Sequence, residues 1–265
     1  MKLQYILLAA VITGFAACQK APDASILQQP VSSCKLDKAI FFDDQGGVSD
    51  TTAYVYTGDQ ATRVNYVSYF VTLEYTNNKV SKRSIHDYTK PDSTVLFDQF
   101  IYNADGTLSQ EKDYANIPSF PIPYLYATYN YTYSGGKVQQ LLIKSDTSGT
   151  GVLVNVYQTD YTYNGSNISK AILKDLSAGI ADTLTYSYDS KQNYYTKNPV
   201  LFYTDDLFMG STGESLPFAL SSNNVTGVTA AGSLNNIVYT ADGKQNFSEL
   251  DINGKKAVTY SYKCQ

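Results

Sequence analysis

The sequence predicts an all-β fold: an extended, twisted antiparallel meander of β-hairpin repeats, curled or open-barrel-like, with one mostly irregular insertion. Three features of the chain favour this fold. The 25 tyrosines among 265 residues concentrate in blocks that alternate with polar residues, each block ends in a turn signal, and the blocks recur. Alternation with a period of two is typical of a strand with one buried face.

The repeat unit is clearest in two blocks, YTYSGGKV at positions 131–138 and YTYNGSNI at positions 161–168. Tyrosine and threonine favour a pleated, half-buried surface. Gly-Gly and Asn-Gly supply the positive φ angles that a tight hairpin turn needs, and the alternation resumes after each turn. Each unit is therefore predicted to be a strand, a tight turn and a returning strand.

The spacing of the blocks indicates a repeat architecture. The second aromatic residue of each block serves as a marker, and the steps between markers are 27, 31, 30, 25, 51 and 23 residues. The long step corresponds to two units with one marker missing. A period in the twenties to low thirties is typical of repeat proteins. The markers are Tyr75, Tyr102, Tyr133, Tyr163, Tyr188, Tyr239 and Tyr262.

One stretch, from about 194 to 235, interrupts the repeat. It contains Asn-Pro at 198–199 and LPFAL at 216–220, which favour one or two short helical turns within a longer loop. Hairpin loops normally have two to five residues. So long an interruption is predicted to be a functional loop or a cap over an open end of the sheet.

The first residues have the features of an export signal. A lysine at position 2 precedes an apolar run at 6–12 that is too short to span a bilayer, and small residues then lead to Cys18. Residues 1–17 are predicted to be a lipoprotein signal peptide and Cys18 the lipidation site, although Phe15 stands where Leu is usual. The alternative is an ordinary signal peptide that is cut before an incidental cysteine.

The mature chain is predicted to divide into a tether and one domain. Residues 18–33 are the lipid anchor with a flexible tether, and residues 34–265 are the β-hairpin repeat domain. Cys34 and Cys264 remain after lipidation, one at each end of that domain. Two cysteines in an exported protein favour a disulfide, and the alternative is a pair of free thiols.

The tyrosines are also the candidate binding residues, because aromatic rings with polar tips stack on sugars. The alternative is that half of them form the core and the rest cover the outer face of the sheet. The chain contains no Trp, usually the strongest stacking residue, which favours this alternative. The candidates are Tyr131, Tyr133, Tyr161, Tyr163, Tyr186 and Tyr188.

No catalytic, metal or cofactor site is predicted. His86 is the only histidine, and as a strand residue it points away from its neighbour Asp87. The acidic pairs Asp43–Asp44 and Asp205–Asp206, together with Glu111 and Asp113, give no evidence of two carboxylates facing each other across a cleft. A net charge of −4 excludes nucleic acid as a partner, since its binding needs clustered Lys and Arg.

The hairpin pattern resembles the YD-type repeats of bacterial cell-surface proteins, and the layout of residues 34–265 resembles a family of Bacteroidota lipoproteins of unknown function. The matching features are the Tyr-x-Tyr hairpins, the Asn-Pro insertion, the SNN stretch at 222–224 and the terminal YSYKC at 260–264. This resemblance implies a lipid-anchored location and a β-rich architecture, and it brings no known chemistry.

Three functions follow from these predictions, in order of preference. The first is a non-enzymatic outer-membrane lipoprotein with a structural or binding role in the cell envelope, whose partner is a glycan or an envelope protein. The second is a carrier that holds an apolar ligand or lipid against the concave face of the sheet, with the insertion as a lid. The third is an enzyme acting on polysaccharide. Either face of the membrane fits the anchor, and an open sheet edge would also permit a homodimer.

Overall fold

The computed structural model describes residues 34–116, 122–205, 211–241 and 246–264. The predicted signal peptide, Cys18 and the tether lie outside the described residues. The described chain forms sixteen antiparallel strands, each hydrogen-bonded to the next in sequence. They are β1 Cys34–Phe42, β2 Val48–Thr57, β3 Gln60–Asn65, β4 Tyr69–Thr76, β5 Lys79–Asp87, β6 Thr94–Tyr102, β7 Leu108–Ala115, β8 Tyr124–Ser134, β9 Lys137–Ser145, β10 Val154–Asn164, β11 Asn167–Asp175, β12 Ile180–Gln192, β13 Asn223–Ala230, β14 Ser233–Ala241, β15 Phe247–Ile252 and β16 Lys255–Cys264.

The meander closes into a barrel, which corrects the prediction of a curled or open sheet. Strands β1 and β16 pair from Cys34 opposite Cys264 to Phe41 opposite Val258. A disulfide joins Cys34 to Cys264 at this seam, as the sequence predicted. Because β1 and β16 pair with each other, the described sheet has no free edge, and the edge-to-edge homodimer considered above loses its basis.

The hairpin turns have the backbone that the repeat predicted. Asn77 and Asn78 have φ angles of 53° and 61°, and Gly135 and Gly136 have φ angles of 57° and 74°. Positive φ at both central residues is the signature of the two-residue turn that matches the twist of paired strands. The glycine and asparagine of the repeat are therefore explained by the turn itself.

A register shift accompanies the second aromatic residue of several hairpins and accounts for a tyrosine there. The pairing slips between Glu74 and Tyr75 and between Thr132 and Tyr133, so one extra residue bulges from the returning strand. A bulge interrupts the ladder of backbone hydrogen bonds. Four of the marker tyrosines donate to a backbone carbonyl at the corresponding bulge of the preceding hairpin. The donor and acceptor pairs are Tyr75 and Ala61, Tyr102 and Val80, Tyr133 and Leu108, and Tyr188 and Ile168.

The barrel has two different ends. The end that holds Cys34 and Cys264 is called the terminal end, and its turns at 58–59, 77–78, 135–136 and 165–166 have two residues each. The opposite end is called the loop end. Its connections include the longer segments 43–47, 88–93 and 146–153. Strand order alone places alternate turns at opposite ends of an antiparallel barrel.

The insertion connects β12 to β13 at the terminal end. It contains a 3₁₀ turn Tyr195–Lys197 and two short helices, α1 Leu201–Thr204 and α2 Leu216–Leu220. The strands resume at Asn223, so the break in the repeat ends earlier than position 235. No helix among the described residues is both long and apolar enough to cross a membrane.

Candidate functional site

The insertion packs into the barrel lumen from the terminal end, and beside β3 it extends as far as Tyr66 in a loop-end turn, whose hydroxyl donates to the carbonyl of Thr204. Leu201 and Tyr203 of α1 and Leu216 and Ala219 of α2 are buried in one core with the inward side chains of the strands. At its base, the Asn193 side-chain amide donates to two carbonyls of the returning segment, at 2.6 and 2.7 Å. The segment predicted to be a functional loop or a cap therefore packs inside the barrel, where the described strands surround it.

Hydroxyl groups of inward tyrosines hold the insertion. Tyr161 donates to the carbonyl of Gly213 and Tyr186 to that of Glu214, each at 2.8 Å. Tyr260 donates to a carboxylate oxygen of Asp205 at 2.9 Å. Each bond satisfies a polar group that burial would otherwise leave unpaired, at a cost of about 1–3 kcal/mol.

The six tyrosines predicted as a binding surface all belong to the lumen wall. Tyr161 and Tyr186 are buried, and the other four are partly buried against the same core. Tyr133 and Tyr188 donate to carbonyls of the neighbouring strands. The structure thus places these six rings within the barrel, and a role for them in binding a ligand stays a prediction.

A charged cluster joins the wall to the insertion. The Arg83 guanidinium lies 2.5 Å from a carboxylate oxygen of Asp98 and 3.4 Å from one of Glu111, and it also donates to the carbonyl of Tyr203 at 2.8 Å. Asp113 stands directly opposite Asp98 on the adjacent strand. The sequence identifies Glu111 and Asp113 as acidic candidates but misses Arg83 and Asp98. Only the strand register shows that these two residues face inward, on β5 and β6.

Burial determines the protonation of this cluster. It raises the pKa of Glu111 to about 7, against the lowering effect of Arg83. Burial, with the nearby charges of Glu111 and Asp98, raises the pKa of Asp113 to about 10. Oxygen atoms of the three carboxylates lie within 4.8 Å of one another, which is close enough for one cation, but the Arg83 guanidinium already supplies positive charge there.

The space beside the cluster is too small for a substrate. A cavity of about 20 Å³ is lined by Arg83, Glu111, Tyr131 and Gly213, among other residues. A site needs about 10–15 Å³ of such space to hold one water, so this cavity accommodates a water molecule and not a sugar ring. Asp205, the other predicted acid in this region, is paired with Tyr260, and Asp206 lies outside the described residues.

The lumen towards the loop end is lined by apolar side chains that remain partly exposed. The strand register points them inward: Leu184 lies opposite Ala171 and Val228 opposite Tyr186, both of which are buried. In a closed wall, an inward side chain is exposed to the lumen or to its mouth. These side chains therefore line the opening of the lumen at the loop end and remain accessible there. The partly exposed apolar side chains of this region are Phe41, Ile85, Leu173, Leu184 and Val228.

Exposed apolar side chains also surround the mouth of the lumen at the loop end. Seven of the eight turns at this end contribute at least one, in the turn or directly next to it, and the described turns at the terminal end contribute none. We call this set the apolar rim. Its members are Val48, Val67, Tyr88, Ile122, Val152, Val154, Leu176, Ile180 and Ile252.

The outer wall is polar in large part, with single exposed apolar side chains such as Val55, Ile101 and Val238. Ion pairs lie along it between Glu74 and Lys82, at 3.3 Å, and between Asp160 and Lys174, at 2.6 Å. These residues alternate with the inward ones along their strands. Such a wall is suited to contact with water.

The aromatic rings on the outer wall are already covered. Phe70 stacks on His86 with ring centroids 4.7 Å apart, and the Arg63 guanidinium lies 3.6 Å above Phe70. Phe97 stacks on Tyr114, also at 4.7 Å. His86 thus serves as a stacked strand residue, and these rings do not present the free faces that a glycan platform requires.

These observations define a class of architecture: a closed sixteen-stranded antiparallel barrel whose lumen holds part of the chain's own insertion. The chain matches no family model and no curated protein, so the resemblance to YD-type repeats and to Bacteroidota lipoproteins stays a prediction.

Two solved structures share the fold. One is a porin-like protein from Bacteroides uniformis, with a TM-score of 0.51 and 11% identity over 89% of this chain and 100% of that one. The other is a porin-like protein from Bacteroides vulgatus, with a TM-score of 0.52 and 12% identity over 86% of this chain and 98% of that one. At such low identity the similarity establishes the barrel fold alone.

Proposed function

We propose that this chain is a non-enzymatic, lipid-anchored protein of the outer membrane that binds an apolar ligand in the loop-end half of its lumen. The observation that carries the proposal is the set of inward apolar side chains, among them Leu184 and Val228, that stay partly exposed within a closed wall. Unfilled apolar space is the common feature of sites that bind apolar molecules. The proposal therefore unites the first two functions that the sequence suggested.

The location is supported by the sequence of the first eighteen residues and by the outer wall. The predicted lipid at Cys18 would hold the protein at the membrane. The ion pairs Glu74–Lys82 and Asp160–Lys174 favour a barrel that stands in water, because charged side chains facing lipid cost about 2–4 kcal/mol each at the midplane. Both the periplasmic and the cell-surface side fit this arrangement.

The insertion supports a binding protein rather than a pore. It enters the lumen from the terminal end, with Tyr203 and Leu201 buried and with hydrogen bonds to the wall from Tyr161, Tyr186 and Arg83. A channel needs a continuous path through the barrel. A lumen closed at one end and apolar at the other is instead a pocket.

The test uses a lumen-filling substitution and a matched control on the outer wall. The chain contains no Trp, so Val228→Trp would both fill the apolar space and report on it by fluorescence. Val238→Trp places the same side chain on the outer wall, where Val238 is 55% exposed. The measurement is a titration with a fluorescent fatty-acid analogue that is soluble in water.

We expect the unsubstituted chain and Val238→Trp to bind the probe with the same affinity, and Val228→Trp to bind it at least about tenfold more weakly, since the larger side chain occupies the site. Equal binding by all three proteins would place the probe outside the lumen. No binding by the unsubstituted chain would overturn the proposed ligand class.

A further inference from the structure

The apolar rim is a surface feature that the proposed pocket does not explain. Val67, Val152 and Ile180, which lie in or directly next to three different turns of the loop end, are 72%, 62% and 61% exposed. Large aliphatic side chains exposed to this degree cost free energy in water. Their recurrence at seven of the eight turns of one end, and at none of the described turns of the other, gives the molecule an apolar face.

We infer that the apolar rim docks the loop end onto a lipid bilayer, so that the ligand passes between the membrane and the lumen without crossing water. The inference rests on the proposed function. The rim is continuous with the proposed pocket, because it surrounds the mouth of the space lined by Phe41, Leu173 and Val228. An apolar ligand that enters this space must cross the rim.

The spacing of the rim favours a fluid partner. Neighbouring turns at one end are two strands apart, about 10 Å, so the rim side chains stand separately and do not form one continuous patch. A rigid protein would need a separate pocket for each of them. A bilayer accepts each side chain independently, as it does with the apolar residues of other interfacial segments.

The charges around the rim determine which bilayer it contacts. The described turns at this end carry exposed or half-exposed aspartates in excess of lysines. This acidic surround is repelled by anionic lipid, and the repulsion is screened by salt. The rim is therefore suited to zwitterionic lipid. The charged residues include Asp43, Asp44, Asp92, Asp146 and Asp175, against Lys90 and Lys255.

The experiment is co-sedimentation with vesicles of phosphatidylcholine, with and without phosphatidylglycerol. The protein is the chain from residue 19 onward, which lacks the lipid and keeps every described strand. The rim variant combines Val67→Ser, Val152→Ser and Ile180→Ser. Its control combines substitutions of the same residue types on the outer wall, Val55→Ser, Ile101→Ser and Val238→Ser, which are also exposed positions.

We expect the unsubstituted chain and the control to bind phosphatidylcholine vesicles, and the rim variant to bind at least about tenfold more weakly. Phosphatidylglycerol should weaken binding at low salt, and added salt should restore it. Equal binding by the rim variant and the control would overturn the inference. So would a failure of the unsubstituted chain to bind vesicles, including the case in which the rim instead mediates dimerisation or holds another protein.

The same variants separate this inference from the proposed function. The rim variant should bind the water-soluble fatty-acid analogue with the affinity of the unsubstituted chain, because its lumen is unchanged. If the unsubstituted chain binds vesicles but does not bind the analogue, membrane docking by the rim is supported and ligand binding in the lumen is refuted. Loss of both activities in the rim variant alone would show that the substitutions damaged the lumen.

Discussion

The Arg83 guanidinium donates a 2.8 Å hydrogen bond to the carbonyl of Tyr203, which follows it by 120 positions in the chain. Arg83 stands on the barrel wall and Tyr203 on the insertion, so the bond joins two parts of the molecule that are remote in sequence. The same guanidinium pairs with Asp98. Wall, insertion and buried charge are thus linked through one side chain.

Replacing Arg83 with methionine should lower the free energy of unfolding by about 3 kcal/mol, because it leaves buried carboxylates without their cation. Urea denaturation measures the loss. Arg63→Met is the matched control on the outer wall, where the guanidinium lies over Phe70, and it should cost about 0.5–1 kcal/mol. Equal losses would mean that Arg83 does not anchor the insertion.

The stability of the protein should fall as the pH rises from about 5 to 7. Burial raises the pKa of Glu111 from 4.5 to about 7, so in this interval the folded chain retains a proton that the unfolded chain has released. Stability then decreases by up to about 1.4 kcal/mol per pH unit for this group. The opposite sign would apply to a carboxylate whose pKa was lowered.

The Glu111→Gln variant tests this assignment, since the amide does not titrate. Urea denaturation of both proteins at several pH values should give a flatter dependence for the variant between pH 5 and 7. Parallel curves for the two proteins would contradict the raised pKa of Glu111. Above about pH 7 the Glu111 contribution should no longer change.

The four marker tyrosines that donate to a bulge carbonyl should contribute to stability through their hydroxyls. Tyr133→Phe removes the bond to the carbonyl of Leu108 and should cost about 1 kcal/mol, the usual net value for such a bond. The control is Tyr157→Phe, because the Tyr157 ring is 38% exposed. Equal losses of stability in the two variants would contradict the claim that the tyrosine hydroxyls stabilise the barrel by bonding at the bulges.

The disulfide should stabilise the closed barrel. Cys34 and Cys264 are 230 positions apart, and in the chain-entropy model closing so long a loop is worth about 5 kcal/mol. The double variant Cys34→Ser and Cys264→Ser should unfold at a correspondingly lower urea concentration. An intact-mass measurement two hydrogens below the reduced mass checks the bridge directly, and the full reduced mass would contradict it.

The hairpins could be predicted from the sequence because each one is a local pattern. Alternation and an Asn-Gly or Gly-Gly pair determine a strand, a turn and a returning strand within about fifteen residues. Closure could not be predicted in the same way, since an open and a closed meander have the same local sequence. The pairing of Cys34 with Cys264 was the single long-range signal, and it pointed to the seam.

The residues of the lumen and of its rim could not be identified from the sequence for a related reason. Arg83 and Asp98 resemble surface residues of strands until the register turns them inward. Val67 and Ile122 resemble isolated apolar residues in loops until the topology gathers alternate turns at one end. Their significance depends on strand order, which a single hairpin does not encode.

Native mass spectrometry of the chain from residue 19 onward, exported to the periplasm and purified without detergent, tests the central claim most directly. An apolar pocket open at one end should retain a ligand through purification. We expect an adduct in the mass range of a lipid or fatty acid on the unsubstituted chain and on Val238→Trp. We expect no such adduct on Val228→Trp. A bare mass for the unsubstituted chain, even after incubation with fatty acid, would contradict the account.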